Sequence, residues 1–132
     1  MTVYREVFER CLEKLVNDQI VVIEGKCEVD EFSGEHRIQS EDIMSLDEAR
    51  NRLAKAMVVN VSESQISNGF MDTLKTMIST HGNGKCPVAV EYACSNCRAR
   101  LQFDDNWRVQ VNDTLIDGLR EYLGEQCVDI EY

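Results

Sequence analysis

Two spacings of apolar residues take turns along this chain, and their order restricts it to an α+β fold. Val3, Val7, Phe8, Cys11, Leu12, Leu15 and Val16 recur at three- and four-residue intervals between charged residues, which predicts a helix over 3–16 with one face on a core. Asn17-Asp18 ends it. Gln19 to Val29 has the β-branched centre of a strand, and Gly25 offers a place for a bulge or bend because glycine lacks a Cβ. Asp30-Glu31-Phe32-Ser33-Gly34 is turn chemistry, and Glu35 to Ile43 is a second strand, so Gln19 to Ile43 reads as a long antiparallel hairpin.

Ser45-Leu46-Asp47-Glu48 is a capping box, with a helix to about Ala54 behind it. A boundary is placed there, because a self-contained alternation begins with the apolar strand Ala56 to Val61. Ser62 to Gln65 is another capping box, expected to open a helix whose stripe is Ile66, Phe70, Met71, Leu74, Met77 and Ile78. His81-Gly82-Asn83-Gly84 stops that helix. Pro87 to Ala93 and Arg98 to Phe103 flank the link Cys94 to Cys97, and the alternation of Arg98, Arg100 and Gln102 with Ala99, Leu101 and Phe103 predicts a half-buried hairpin strand. Trp107 to Val111 reads as a further strand with the indole in the core. Asn112 caps a helix with the face Leu115, Ile116, Leu119, Tyr122 and Leu123 and the stop Gly124, and Cys127 to Tyr132 forms the last strand. From Ala56 the order is β-α-β-β(-β)-α-β, close to a split βαβ arrangement.

A net charge of -10, from 24 acidic against 14 basic residues, argues against a surface built to neutralise phosphates throughout. Any nucleic-acid role must be local. The longest apolar run, Ile20 to Ile23, is too short to span a bilayer and no signal-peptide pattern opens the chain, so no membrane partner and a cytoplasmic location are expected. In that setting the six cysteines are expected to be reduced. The amphipathic pattern starts almost at Met1 and strand-like residues run to Tyr132, as in a segment of a longer protein that keeps its natural end.

Reactive constellations are sparse. Cys94-Ser95-Asn96-Cys97 supplies one CxxC knuckle, and a zinc site would need Cys86 and His81 to complete it at a spacing that is no knuckle. A thioredoxin-like pair wants its CxxC at a helix start, whereas strands flank this one. His36 and His81 lie in or beside turns with no nucleophile or base around them, and Gly82-Asn83-Gly84-Lys85 lacks the spacing of a phosphate loop. Neither catalytic residues, metal ligands nor a cofactor site are therefore assigned. The first hairpin keeps a local claim on single-stranded nucleic acid through Lys26, Phe32, His36 and Arg37, opposed by Glu24, Glu28, Asp30, Glu31 and Glu35, which repel phosphates.

Taken in order, Val21-Val22-Ile23-Glu24-Gly25-Lys26, Phe32-Ser33-Gly34, the run Glu41 to Arg50, Arg98-Ala99-Arg100-Leu101, Trp107-Arg108-Val109 and the closing run Leu115 to Tyr132 carry a resemblance over essentially the whole chain. Together they resemble the C-terminal end of bacterial DNA polymerase III alpha subunits. The resemblance implies that residues 1–45 are the closing helix and hairpin of an OB-fold domain, a partial OB-fold remnant, that 46–55 form a connecting helix, and that 56–132 form the C-terminal domain that docks onto the tau protein of the clamp loader. In the family the polymerase palm, its metal-binding aspartates and the PHP domain lie upstream, so no nucleotidyl transfer is expected from this segment alone.

Partner contact through the last domain is expected to use an exposed apolar patch or sheet edge, with Arg120, Tyr122, Ile130 and Tyr132 as candidates. Relatives can carry a sliding-clamp peptide near this end; here Gln126 leads into Val128, Ile130 and Tyr132, whose alternation reads as a buried strand instead. Two rival readings stand beside tau docking: a single-stranded nucleic-acid-binding OB-type module using Lys26, Phe32 and Arg37, and a small zinc or thiol-redox protein.

Overall fold

The computed structural model describes residues 2–132. The chain divides into two compact units, the first ending at Ala49 and the second running Arg50–Tyr132. Both are mixed α+β structures, as the alternating spacings predict.

The first unit is a three-stranded sheet in the order β1-β3-β2. β1 (Thr2–Val3) runs parallel to β3 (His36–Ser45), and β2 (Val21–Val29) lies antiparallel to it, with Ile23 opposite Ile43 and Val29 opposite His36. The register slips at Glu24/Gly25, and a Cβ on Gly25 would stand 2.2 Å from the Gln39 carbonyl oxygen. The bulge expected at this glycine is therefore present, and only glycine fits it. The predicted 3–16 helix is shorter: α1 covers Arg5–Cys11, a 3-10 turn covers Leu12–Lys14, and Val3 is a strand residue. Of the seven residues predicted to form its apolar face only Cys11 is buried, because a three-stranded sheet offers too little surface to cover the rest. Asp18, with φ 65°, makes the turn into β2.

At the end of β3 the Ser45–Glu48 capping box is made in both directions. The Glu48 N–H donates to Ser45 Oγ at 3.2 Å and the Ser45 N–H to Glu48 Oε2 at 2.9 Å. It opens α2 (Leu46–Leu53).

The second unit is a four-stranded sheet in the order β6-β5-β4-β7. Its strands are β4 (Ala56–Ser62), β5 (Val88–Ala93), β6 (Arg98–Gln102) and β7 (Val128–Glu131), and its helices α3 (Phe70–Thr80) and α4 (Asp113–Leu123). β4 and β5 are parallel, a pairing that needs a crossover, here α3; the other pairs are antiparallel. Met57, Val59 and Val61 of β4, Val88 and Val90 of β5 and Val128 of β7 share one face and pack with Phe70, Leu74 and Ile78 of α3 and Leu115, Ile116, Leu119 and Leu123 of α4. Period 2 meets period 3.6 in one core.

Three local expectations are corrected. The Ser62–Gln65 box exists, but it closes a 3-10 turn over Glu63–Gln65; α3 starts later, behind Gly69 at φ 86°, leaving Ile66 and Met71 exposed. β6 is exposed along its whole length, not half-buried, because it is the edge strand and the helices do not reach over Ala99 and Leu101. The stretch 107–111 is no regular strand: Asp105–Trp107 is a 3-10 turn and Val109 makes a single bridge with Cys86. Trp107 still packs against the core, edge-on to Phe103 at 6.0 Å between ring centres. Asn112 caps α4 as expected, its side-chain oxygen accepting from the Leu115 N–H at 2.9 Å, and Gly124 ends it at φ 103°.

Candidate interaction surfaces

In the first unit the bulge and the register set which side chains share a face of the hairpin. Lys26 and Glu41 lie on the same side and pair at 2.8 Å, while Arg37 pairs with Asp30 at the turn. Asp30 also accepts the N–H groups of Ser33 and Phe32, each at 3.0 Å, and these bonds hold its carboxyl below the ordinary value. Both cations of the expected basic patch are thus matched by carboxylates. Phe32 is the opposite case: it stands at the tip, 101% exposed, with its ring in solvent. His36 begins β3 with Nδ1 3.9 Å from the Cys27 sulfur.

In the second unit the partner candidates fall in two places. Arg120 and Tyr122 are on α4: Tyr122 stacks on Phe70 at 6.1 Å, and Arg120 reaches Asp117 at 3.9 Å while its Nε is buried without a hydrogen-bond partner among the described residues. Ile130 and Tyr132 belong to the β7 end. Ile130 faces the core and is partly buried, whereas Tyr132 is exposed and its carbonyl accepts from Lys55 Nζ at 2.8 Å.

The sheet face turned away from the helices carries a polar arrangement that sequence reading missed. Register places Arg100 beside Glu91, and Glu91 beside Asn60. Arg100 meets Glu91 at 3.3 Å and reaches across to Glu131 with two bonds, 2.7 and 2.8 Å; Asn60 donates to Asp129 at 2.7 Å. The diagonal from Arg100 to Glu131 passes over Ala89 and Val58, which are 0% and 3% exposed although they point away from the main core. The bidentate bond with Arg100 lowers the Glu131 carboxyl below its ordinary value. Beside this brace opens a cavity of about 870 Å³ lined by Asn60, Ser62, Tyr92, Arg98, Arg100 and residues 123–127 from the end of α4 onward. The available signal was the alternation of charged residues on β6 and β7, which gives the face but not the partner.

For metal chemistry, no three His, Cys, Asp or Glu side chains among the described residues converge closely enough to hold an ion. His81 and Cys86 do not join Cys94 and Cys97; Cys86 is buried in the core and His81 lies 3.4 Å from the Asn112 side chain. No described helix is long and apolar enough to cross a membrane.

Comparison with known proteins gives these surfaces a context. Residues 73–124, from within α3 to the end of α4, match the family described as DNA polymerase III subunit alpha, C-terminal domain. Over the whole chain it is 33% identical to the DNA polymerase III subunit alpha of Pasteurella multocida, and over 98% of the chain 33% identical to that of Vibrio cholerae and 29% to that of Escherichia coli K12. It spans about 11% of the length of each. The class these matches define is that of bacterial DNA polymerase III alpha subunits, proteins far longer than this chain. The chain is thus similar to the C-terminal part of DNA polymerase III alpha subunits, which bears out the resemblance carried by its ordered motifs.

Proposed function

We propose that the chain is a non-catalytic module of the replicative DNA polymerase III alpha subunit that docks the polymerase to the tau protein of the clamp loader during DNA replication in the cytoplasm. The observation that carries this reading is the match of residues 73–124 to the family of alpha C-terminal domains, within a likeness that covers the whole chain. Nucleotidyl transfer is assigned to the far longer remainder of proteins of this length class. On this reading residues 1–45 are the closing part of an OB fold, 46–55 the connecting helix, and 56–132 the tau-binding domain. The order β4-α3-β5-β6-α4-β7, with α3 and α4 packed on one sheet face, supports a split βαβ description of the last part.

The docking surface on this reading is α4, with Arg120 and Tyr122 on its two flanks, together with the β7 end. Arg120 and Tyr122 are both about 40% exposed, and Arg and Tyr are the residue types that anchor interfaces. A sliding-clamp peptide at the same end is the weaker reading, since Ile130 is paired with Met57 in the sheet and faces the core.

A pull-down with the C-terminal part of the cognate tau protein tests the proposal. Retention by the whole chain, and loss when 56–132 is deleted or when Arg120 and Tyr122 are both changed to Ala, is expected. Equal retention without 56–132 would remove the assignment.

A second reading, single-stranded DNA contact through Phe32 with Lys26 and Arg37, is favoured by one observation, the fully exposed ring at the hairpin tip. It predicts oligonucleotide binding that weakens steeply with salt and disappears in Phe32→Ala. Salt-insensitive or absent binding rejects it.

A further inference from the structure

Cys94 and Cys97 stand at the tip of the β5–β6 hairpin with their sulfurs 3.1 Å apart, about 1 Å longer than the roughly 2.0 Å of a disulfide bond. They follow Ala93 and Arg98 in the ladder, and the Cys94 N–H donates to the Cys97 carbonyl at 2.9 Å. Opposed residues of a hydrogen-bonded antiparallel pair have Cα atoms about 5.5 Å apart, inside the range that a disulfide bridges. Cys97 is exposed and Cys94 partly so, which gives a reagent access.

The other thiols are placed differently. Cys11, Cys86 and Cys127 are buried, and burial pushes the Cys86 and Cys127 thiols up. Cys27 is exposed, but its sulfur has the His36 ring beside it. At the hairpin tip the hydrogen bond from Cys97, helped by the Asn96 N–H, holds the Cys94 thiol below its ordinary value, while the same bond raises Cys97. One sulfur is thus prepared as the attacking thiolate and the other is held in reserve beside it.

We propose that Cys94 and Cys97 are a redox modification site: a pair that low-molecular-weight disulfides such as oxidised glutathione convert reversibly to an intrachain disulfide. The Cys94 thiolate attacks one sulfur of the reagent, whose S–S bond breaks; a Cys94–glutathione bond forms, and the departing glutathione thiolate takes up the proton that Cys94 released. Cys97 then gives its proton to solvent and attacks the Cys94 sulfur. The mixed disulfide breaks and the second glutathione leaves, reprotonated from solvent. Two cysteine thiols are oxidised and one glutathione disulfide is reduced to two thiols. The pair adjoins Ala93 and Arg98, which line the cavity on the open sheet face, so the disulfide ties together the backbone of that wall.

Mass spectrometry of the 132-residue chain after exposure to oxidised glutathione tests this. The expected product has lost two hydrogens, maps to the peptide that contains Cys94 and Cys97, resists alkylation and returns to the dithiol with dithiothreitol. Cys27 is expected to keep a glutathione adduct instead. Cys97→Ser is expected to stop at the Cys94–glutathione adduct, with the two-hydrogen product lost and Trp107 fluorescence unchanged. A glutathione adduct that persists on Cys94 of the unaltered chain overturns the proposal, and that readout needs no variant to fold. So does zinc that survives chelator-free purification and shields both thiols from the reagent.

Discussion

The two units use the same building blocks and reach different degrees of closure. In the second, one face of a four-stranded sheet meets two helices, and Met57, Val59, Leu74, Ile78, Leu115 and Leu119 are fully buried. In the first, with a three-stranded sheet, the short α1 and the start of α2, the buried apolar residues are Cys11, Ile43, Met44 and Ala49, while Tyr4, Phe8, Leu12, Val16, Ile20, Val29 and Ile38 stay exposed. Both have regular apolar patterning. Periodicity therefore reports which face an element offers, and the number of layers decides whether the offer is taken up.

The largest effect that sharpens this contrast is expected from Leu74→Ala. Removing a fully buried side chain from the second core should cost about 2–5 kcal/mol. Ile23→Ala, partly exposed in the first unit, should cost far less; equal losses in denaturant titrations followed by circular dichroism would break the comparison.

Next comes Asn51→Ala. The Asn51 side chain accepts from the Val111 N–H at 2.8 Å and donates to the Val111 carbonyl at 3.0 Å, doing for a buried loop residue what a neighbouring strand would do. Truncation leaves both groups unmatched and should cost about 1–3 kcal/mol, read from the shift of the Trp107 fluorescence transition. Asn112→Ala, which removes the α4 cap, should cost about 1 kcal/mol by the same measure.

The smallest effect belongs to the first unit. The Glu48 carboxyl is held below its ordinary value by its bond to Lys14 Nζ at 2.8 Å and by the Ser45 N–H. A depressed folded-state value means that this contribution is complete above the usual carboxylate range and is lost as pH falls through the folded value. Glu48 is about half exposed, so solvent screens the pair and the effect is modest. Glu48→Gln should flatten the acid limb of the thermal midpoint plotted against pH; an unchanged limb would show that the box carries no such stability.

Much of the local structure was legible because its cause is local. The Ser45 box, the Asn112 cap and the Gly124 stop each depend on residues at most a few positions apart, and the Gly25 bulge was marked by the missing Cβ of one residue. Phe70, Leu74 and Ile78 of α3 and Leu115, Ile116, Leu119 and Leu123 of α4 were legible as buried for the same reason, whereas Ile66, Met71 and Tyr122, predicted on the same stripes, are exposed. Most of what failed depended on neighbours distant in sequence. β6 alternates like a half-buried strand, yet its place at the sheet edge leaves Leu101 in solvent. One miss was local instead: the second capping box was recognised, but Gly69, a few residues beyond it, determines where the helix begins. The Arg100–Glu131 brace joins residues 31 positions apart, and no spacing rule points from one to the other. The Cys94–Cys97 contact was visible as a motif, while its geometry needed the hairpin register.

β4 sits in the interior of its sheet, and one of its edges is filled by β7, with Asn60 and Asp129 bonded across 69 positions of sequence. A ribosome makes β4 long before β7. Throughout that interval the nascent chain carries an apolar strand with an open flank, the kind of surface that invites intermolecular pairing. Translation speed between the codons for Asn60 and Asp129 thus bears on the yield of soluble product, and a chaperone that covers β4 during this wait would guard the step that needs it most.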